Sequence, residues 1–209
     1  MAGLIKTHLQ LGDSTTASQN FTLTAAQQDG TMRLYQGNAG TPIRDILTVP
    51  LSGPAKFAGT QQLAQLLTFQ TGAVATGTTI IPIDDTIPQI TEGNEYLALT
   101  ITPVNALSTL EIDTTIYVGR SIVDWLIGAL FQDATANALA VAVAYSSTAT
   151  GVVPLTMKHI MVAGTTVATT FRVRAGGANA GTLTLNGSNG VRHFGGTYAS
   201  RITIKEYLP

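Results

Sequence analysis

The sequence predicts an all-β protein. Two observations point there: apolar and polar side chains alternate with a two-residue period along several short runs, and clusters of Gly, Asn and Pro punctuate those runs. Many short strands separated by such turns mark a sandwich or a barrel, because each half-apolar sheet must bury one face against another layer.

Three zones follow one another. Residues 1 to about 36 are rich in Thr, Gln and Ser, with short alternating segments such as Phe21-Thr22-Leu23-Thr24. Residues 37 to about 60 are dense in turn signals, with Gly37-Asn38-Ala39-Gly40-Thr41-Pro42, Pro50, Gly53-Pro54 and Gly59 around a strand at Ile46-Leu47-Thr48-Val49. From about residue 61 to Pro209 the alternation is sustained, which sets a boundary near Gly59 and divides the chain into residues 1–60 and a larger domain at 61–209.

The strands of the larger domain can be taken in order. Leu97, Leu99 and Ile101 alternate with Ala98 and Thr100. In Thr109 to Gly119, Leu110, Ile112, Ile116 and Val118 share one face, and Glu111, Asp113, Thr115 and Tyr117 share the other. Phe171 and Val173 alternate with Arg172 and Arg174, Leu183 and Leu185 with Thr182 and Thr184, and Ile202 and Ile204 with Arg201, Thr203 and Lys205. Turns are expected at Glu92-Gly93-Asn94, Gly164, Gly176-Gly177-Ala178-Asn179 and Asn186-Gly187-Ser188-Asn189-Gly190.

Two segments are apolar on both faces. One is Ile122 to Phe131. In the other, Leu139, Val141, Val143 and Tyr145 alternate with Ala138, Ala140, Ala142 and Ala144. Alanine makes a helix the competing reading of the second segment, and its alternation with β-branched Val favours a strand. A strand apolar on both faces must be covered on both, either by loops of its own chain or by neighbouring subunits packed on the small Ala face.

Composition excludes several functions. The 209 residues contain no cysteine, so neither a disulfide framework nor thiolate chemistry is available. A formal charge of −1 and eleven scattered Lys and Arg residues provide no footprint for nucleic acid. Every apolar run breaks well before the roughly 18 residues of a membrane helix. The N-terminal stretch Met1 to His8 lacks an apolar core of signal-peptide length. Charged residues make up only 11% of the chain, which suits a protein that covers much of its surface in an assembly.

Candidate chemistry is sparse, and no catalytic, cofactor or metal site is assigned. Asp84-Asp85 with Glu92 or Glu95 could offer oxygen ligands to calcium, but their spacing matches no defined loop. Glu111 and Asp113 share a strand face, as a glycosidase pair would, and strand-surface acids are ordinarily just solvated. His8, His159 and His193 lack metal-ligand spacing, and His159 shares a face with Met157 and Met161, which suits a buried or interface position. No serine occupies a nucleophile elbow. Gly176-Gly177 and Gly195-Gly196 read as turns and not as phosphate loops, since neither leads from a strand into a helix. Of the rings able to stack on sugars, Tyr117, Tyr145, Tyr198 and Phe194 are available, while Trp125 falls in an apolar stretch and reads as core. The loop from Asn186 to His193 is the best-placed recognition surface.

The stretch Thr78 to Gln89, the following Glu92-Gly93-Asn94-Glu95-Tyr96, the segments Thr169 to Gly177 and Gly181 to Gly187, and the closing Phe194 to Glu206 together resemble the jelly-roll heads at the ends of bacteriophage fibres. Those heads are similar in architecture to the trimeric jelly rolls of the complement and tumour-necrosis-factor group. The resemblance covers about residues 70 to 209. Asp29 to Gly40, Asp45 to Val49 and Gly53 to Phe57 separately resemble a short docking element of phage tail and fibre proteins. What the resemblance implies is a non-enzymatic homotrimer in a virion, assembled in the host cytoplasm. Residues 1–60 would dock it on tail, portal-vertex or capsid proteins, and an antiparallel jelly-roll head at 61–209 would face a host glycan or protein. A capsid decoration or head-fibre protein fits the same likeness, and a polysaccharide depolymerase or lectin is the rival of another class. No collagen-like, heptad or β-helix repeat supplies a long shaft.

Overall fold

A computed structural model describes residues 61–209 throughout and, before them, the backbone of five strands. These are β1 (His8–Leu11), β2 (Phe21–Thr24), β3 (Thr31–Asn38), β4 (Thr41–Pro50) and β5 (Lys56–Phe57). The chain divides into two compact units, Met1–Gln62 and Leu63–Pro209.

In the first unit the five strands form one sheet in the order β1-β2-β3-β4-β5, with every neighbour antiparallel. The expected strands at Phe21 to Thr24 and Ile46 to Val49 are β2 and part of β4. The Gly37 to Pro42 cluster differs from expectation: Gly37 pairs with Pro42 and Asn38 with Thr41, so the ladder runs through most of the supposed turn. The expected turns at Gly53-Pro54 and Gly59 lie outside the described residues.

The second unit holds β6 (Gln62–Thr71), β7 (Ala75–Gly77), β8 (Asn94–Ile101), β9 (Thr109–Arg120), β10 (Asp124–Gln132), β11 (Ala140–Ser146), β12 (Val152–Val162), β13 (Thr169–Gly177), β14 (Leu183–Leu185), β15 (Gly187–Ser188), β16 (Val191–Arg192) and β17 (Ser200–Leu208). One sheet runs β11-β10-β13-β8. The other runs β6-β17-β9-β14-β7, with β12 on the remaining side of β9. After β8 the chain passes to the second sheet for β9, back for β10 and β11, over again for β12, and back for β13 before β14 and β17 close it. This repeated crossing between two antiparallel layers is jelly-roll topology.

β9 organises the core. Leu110, Ile112, Ile116 and Val118 point inward and are fully buried, and they meet Leu97, Leu126, Leu130, Phe171 and Val173 of the opposite layer. The two-residue period seen in the sequence is therefore the inward–outward alternation of a sandwich strand, and β17 repeats it with Ile202 and Ile204. β14 departs from expectation, because Thr184 is as buried as its leucine neighbours.

The segment Ala140–Ser146 is a strand, as its alternation predicts, but its faces are reversed. Ala140, Ala142 and Ala144 pack against the core, whereas Val141, Val143 and Tyr145 point outward. Each inward alanine lies opposite Leu130, Gly128 or Leu126 in the ladder, so two of the three sit beside a large neighbour that leaves room only for a methyl group. Most of the outer face of β10 needs no second subunit either. Ile127, Ala129 and Phe131 are buried together with Ile81, which the chain's own loop between β7 and β8 lays over them. Of the two covers expected for a doubly apolar strand, a loop of the same chain supplies the one over those residues, and sister copies are not needed there. Trp125, expected in the core, is 44% exposed because that loop does not cover the start of β10.

Two glycine clusters are corrected as well. Gly176 and Gly177 end β13 as paired strand residues opposite Ile127 and Leu126, and the turn follows them. Asn189 and Gly190, both at positive φ, close a tight hairpin between β15 and β16 inside the loop expected from Asn186 to Gly190.

Candidate functional site

The outward face of the six-stranded sheet is built in rows by the ladders. Lys205 and Ile160 flank Glu111, Thr203 and Lys158 flank Asp113, and Arg201 and Thr156 flank Thr115. Glu111 accepts Lys205 Nζ at 2.6 Å and lies 3.0 Å from Lys158 Nζ. Lys205 also reaches Asp113 at 3.2 Å, and Lys158 lies 3.9 Å from it. The hydrogen bonds from Lys205 and then Lys158 pull the Glu111 carboxyl down to about 2, and Glu111 in turn raises Lys205. The two carboxylates that could have formed a hydrolytic pair are neutralised by lysines of the same sheet. A general acid needs the opposite shift, upward toward neutral pH.

Around this lattice the face is polar or apolar, with exposed Arg201 its further charge among the residues just named. Thr68 of β6 shares a hydroxyl hydrogen bond with Thr203 at 3.1 Å. Leu66, on the same side of β6, is exposed, as are Ile160 and Val162 of β12. At the other end Tyr117 stacks on Tyr198 with centroids 4.0 Å apart, and Phe194 meets Tyr198 edge-on at 5.7 Å. Phe194 is 75% exposed and sits at positive φ beside Gly195 and Gly196, in a short 3-10 turn.

The proposed calcium ligands do not converge. Asp84 closes a local turn by accepting the Thr86 amide at 2.8 Å and hydroxyl at 2.5 Å. These bonds, the hydroxyl first, lower the pKa of its carboxyl. Glu92 accepts the Gln89 amide, and Glu95 pairs with Arg172 at 3.0 Å and Arg174 at 3.6 Å. Among the described residues no group of three His, Cys, Asp or Glu could hold a metal. His8 lies on β1, whose side chains are outside the described residues. His159 is half-buried on the inward face of β12. His193 Nε2 lies 3.1 Å from Ser188 Oγ, and no carboxylate ion pair forms at His193 among the described residues. The rings singled out in the sequence separate into two groups: Tyr117, Tyr198 and Phe194 on the six-stranded sheet, and Trp125 with Tyr145 on the four-stranded one, centroids 5.0 Å apart.

Sequence reasoning missed the groove beside that second pair. It lies between the loop after β7 and strand β11, holds about 490 Å³, and is lined by Pro82, Ile83 and Pro88 of the loop, Trp125 and Ile127 of β10 and Val143 of β11. Its signal was the run Ile80-Ile81-Pro82-Ile83, an apolar loop of which Ile81 is buried against β10 while Ile80, Pro82 and Ile83 stay exposed.

These features define a jelly-roll sandwich whose distinctive surfaces are sheet faces and a shallow groove. Residues 78–209 match the family described as the Pgp3 C-terminal domain, more than half of the chain, and the chain belongs to that family. No curated protein matches. Among solved structures the chain is similar to Eiger TNF from S. frugiperda, at 10% identity and a TM-score of 0.39, covering 69% of this chain and 93% of that one. It is also similar to the VP2 subviral particle of infectious bursal disease virus, at 10% identity and a TM-score of 0.32, covering 97% of this chain and 57% of that one. Nothing among these matches points to a bacteriophage.

Proposed function

We propose that this chain is a non-enzymatic structural protein acting as a homotrimer, with the outward face of the six-stranded sheet turned toward its sister subunits. The observation that carries this reading is the pairing of exposed Leu66, Ile160 and Val162 with a charge lattice already neutralised within the chain. Burying this part of the face gains apolar area and strands none of Glu111, Asp113, Lys158 or Lys205, the cost that normally opposes hiding Lys and Glu. Threonine-rich rows between the charges suit close sheet-to-sheet approach. In this proposal residues 1–60 dock the trimer on a larger particle, and the phage virion of the sequence resemblance is the setting proposed for it. The head then faces outward with its four-stranded sheet and loops, toward a host glycan or protein.

Sedimentation equilibrium at micromolar concentration tests the assembly. The expected mass is three times the 21.8 kDa chain, and a stable monomer overturns the proposal. Locating the chain in density of intact particles then distinguishes a fibre present in few copies from a decoration protein present in many.

A further inference from the structure

The loop from Thr78 to Glu92 is pinned at both ends: Ile81 donates to Gly177 O at 3.0 Å, and Ala138 donates to Pro88 O at 3.0 Å. Between those anchors it covers Ile127 and Ala129 of β10 and leaves open the strip in front of Val141 and Val143. The resulting groove has the volume of a small-molecule site. Among the described residues Asp84 is the only charged one in its lining, with no Lys, Arg or His there. Trp125 and Tyr145 are direct cross-strand partners on this face, so the partly exposed indole is held at one end of the groove by its neighbour's ring.

We propose that this groove binds a small organic cation, an alkylated or quaternary ammonium on a short apolar body, with the ammonium held by the Trp125 indole and the Asp84 carboxylate. Three properties of the lining select that chemistry. The apolar floor and prolines favour a ligand that brings hydrocarbon. A cation over an aromatic face is attracted by the ring quadrupole, most strongly for indole. A single carboxylate without a cationic neighbour in the lining rejects anions and is left uncompensated by a neutral ligand. Thr86 prepares that carboxylate, since both of its hydrogen bonds end on Oδ1 and orient the group. The groove lies on the four-stranded sheet, away from the face proposed to join subunits, so the two proposals fail independently.

Trp125 is the single tryptophan of the chain, so its emission reports on the groove in the unmodified protein. The full chain is titrated with choline and with the uncharged alcohol in which a tert-butyl group replaces the trimethylammonium. Choline is expected to give a saturable change at about 1 mM, with the alcohol about tenfold weaker. Asp84→Asn, at an exposed turn, is expected to weaken choline about tenfold and leave the alcohol unchanged. An absence of saturation by about 50 mM choline, equal affinity for the two ligands, or an unchanged choline affinity in Asp84→Asn each overturns the proposal.

Discussion

Arg120 and Asp124 are a fully buried ion pair, 2.9 Å apart, at the bend where the chain leaves β9 for β10. Both charges have partners beyond their mutual contact, although Arg120 Nε is buried without one. The guanidinium donates to the carbonyls of Gly181 and Asn179, and the carboxylate accepts the Asn179 amide at 3.1 Å and its side-chain nitrogen at 2.8 Å. The pair thus ties the turn after β13 to the bend after β9. Gly177 makes room for it, because a Cβ there would lie 2.2 Å from Arg120 Cζ. Truncating one partner strands the other charge in the interior, which costs more than the pair itself contributes. Asp124→Ala is therefore expected to lower stability by about 3–5 kcal/mol. Urea unfolding followed by far-ultraviolet circular dichroism checks it, and a loss within the range of an ordinary surface substitution would refute the role given to the pair.

On the scale of elements, the ladder β12-β9-β17 carries the lysine–carboxylate lattice across three strands, and its response to pH follows from one sign. Hydrogen bonds from Lys205 and Lys158 depress Glu111 from 4.5 to about 2. A carboxyl depressed in the folded state favours folding above its unfolded value, and that contribution fades as the pH falls from 4.5 through about 2. Glu111 is thus expected to remain ionised at about pH 3.5, visible as an unshifted side-chain carboxyl resonance in carbon NMR, whereas in Lys205→Met it titrates nearer the ordinary value. β9 and β17 were legible in the sequence because one face meets a core and the other carries charge or Thr, so the period-two pattern shows as polarity. β10 and β11 were legible as strands but not in orientation. Ala and Val are both apolar, and only the neighbours Leu126 and Leu130 decide that the smaller side chain turns inward. β6 was not singled out, since its adjacent Leu66 and Leu67 blur the alternation of a strand placed at the sheet edge. The groove escaped notice for a related reason. It depends on a loop some forty residues before β10 folding back over that strand, a contact that no local pattern encodes.

At the scale of the whole molecule, the head has every part an independent fold requires. Its core cluster draws on strands from β8 to β17, and the last strand closes the sheet beside β6. The buried carboxylate of Glu206 fastens that closure by accepting the Val104 amide at 2.8 Å, the Asn105 amide at 3.3 Å and Gln65 Nε2 at 2.5 Å. The members of this network named above all lie within the second unit. A fragment of residues 62–209 is therefore expected to fold with a single cooperative transition. If the outward face of the six-stranded sheet joins the subunits, the fragment also sediments as a trimer. Ile160→Asp in it then gives a folded monomer, because an added carboxylate beside Glu111 upsets a lattice whose charges were balanced. A trimer that survives Ile160→Asp would remove this face from the interface. A fragment that folds but stays monomeric would instead shift the association to residues 1–61, and the two results are told apart by mass alone.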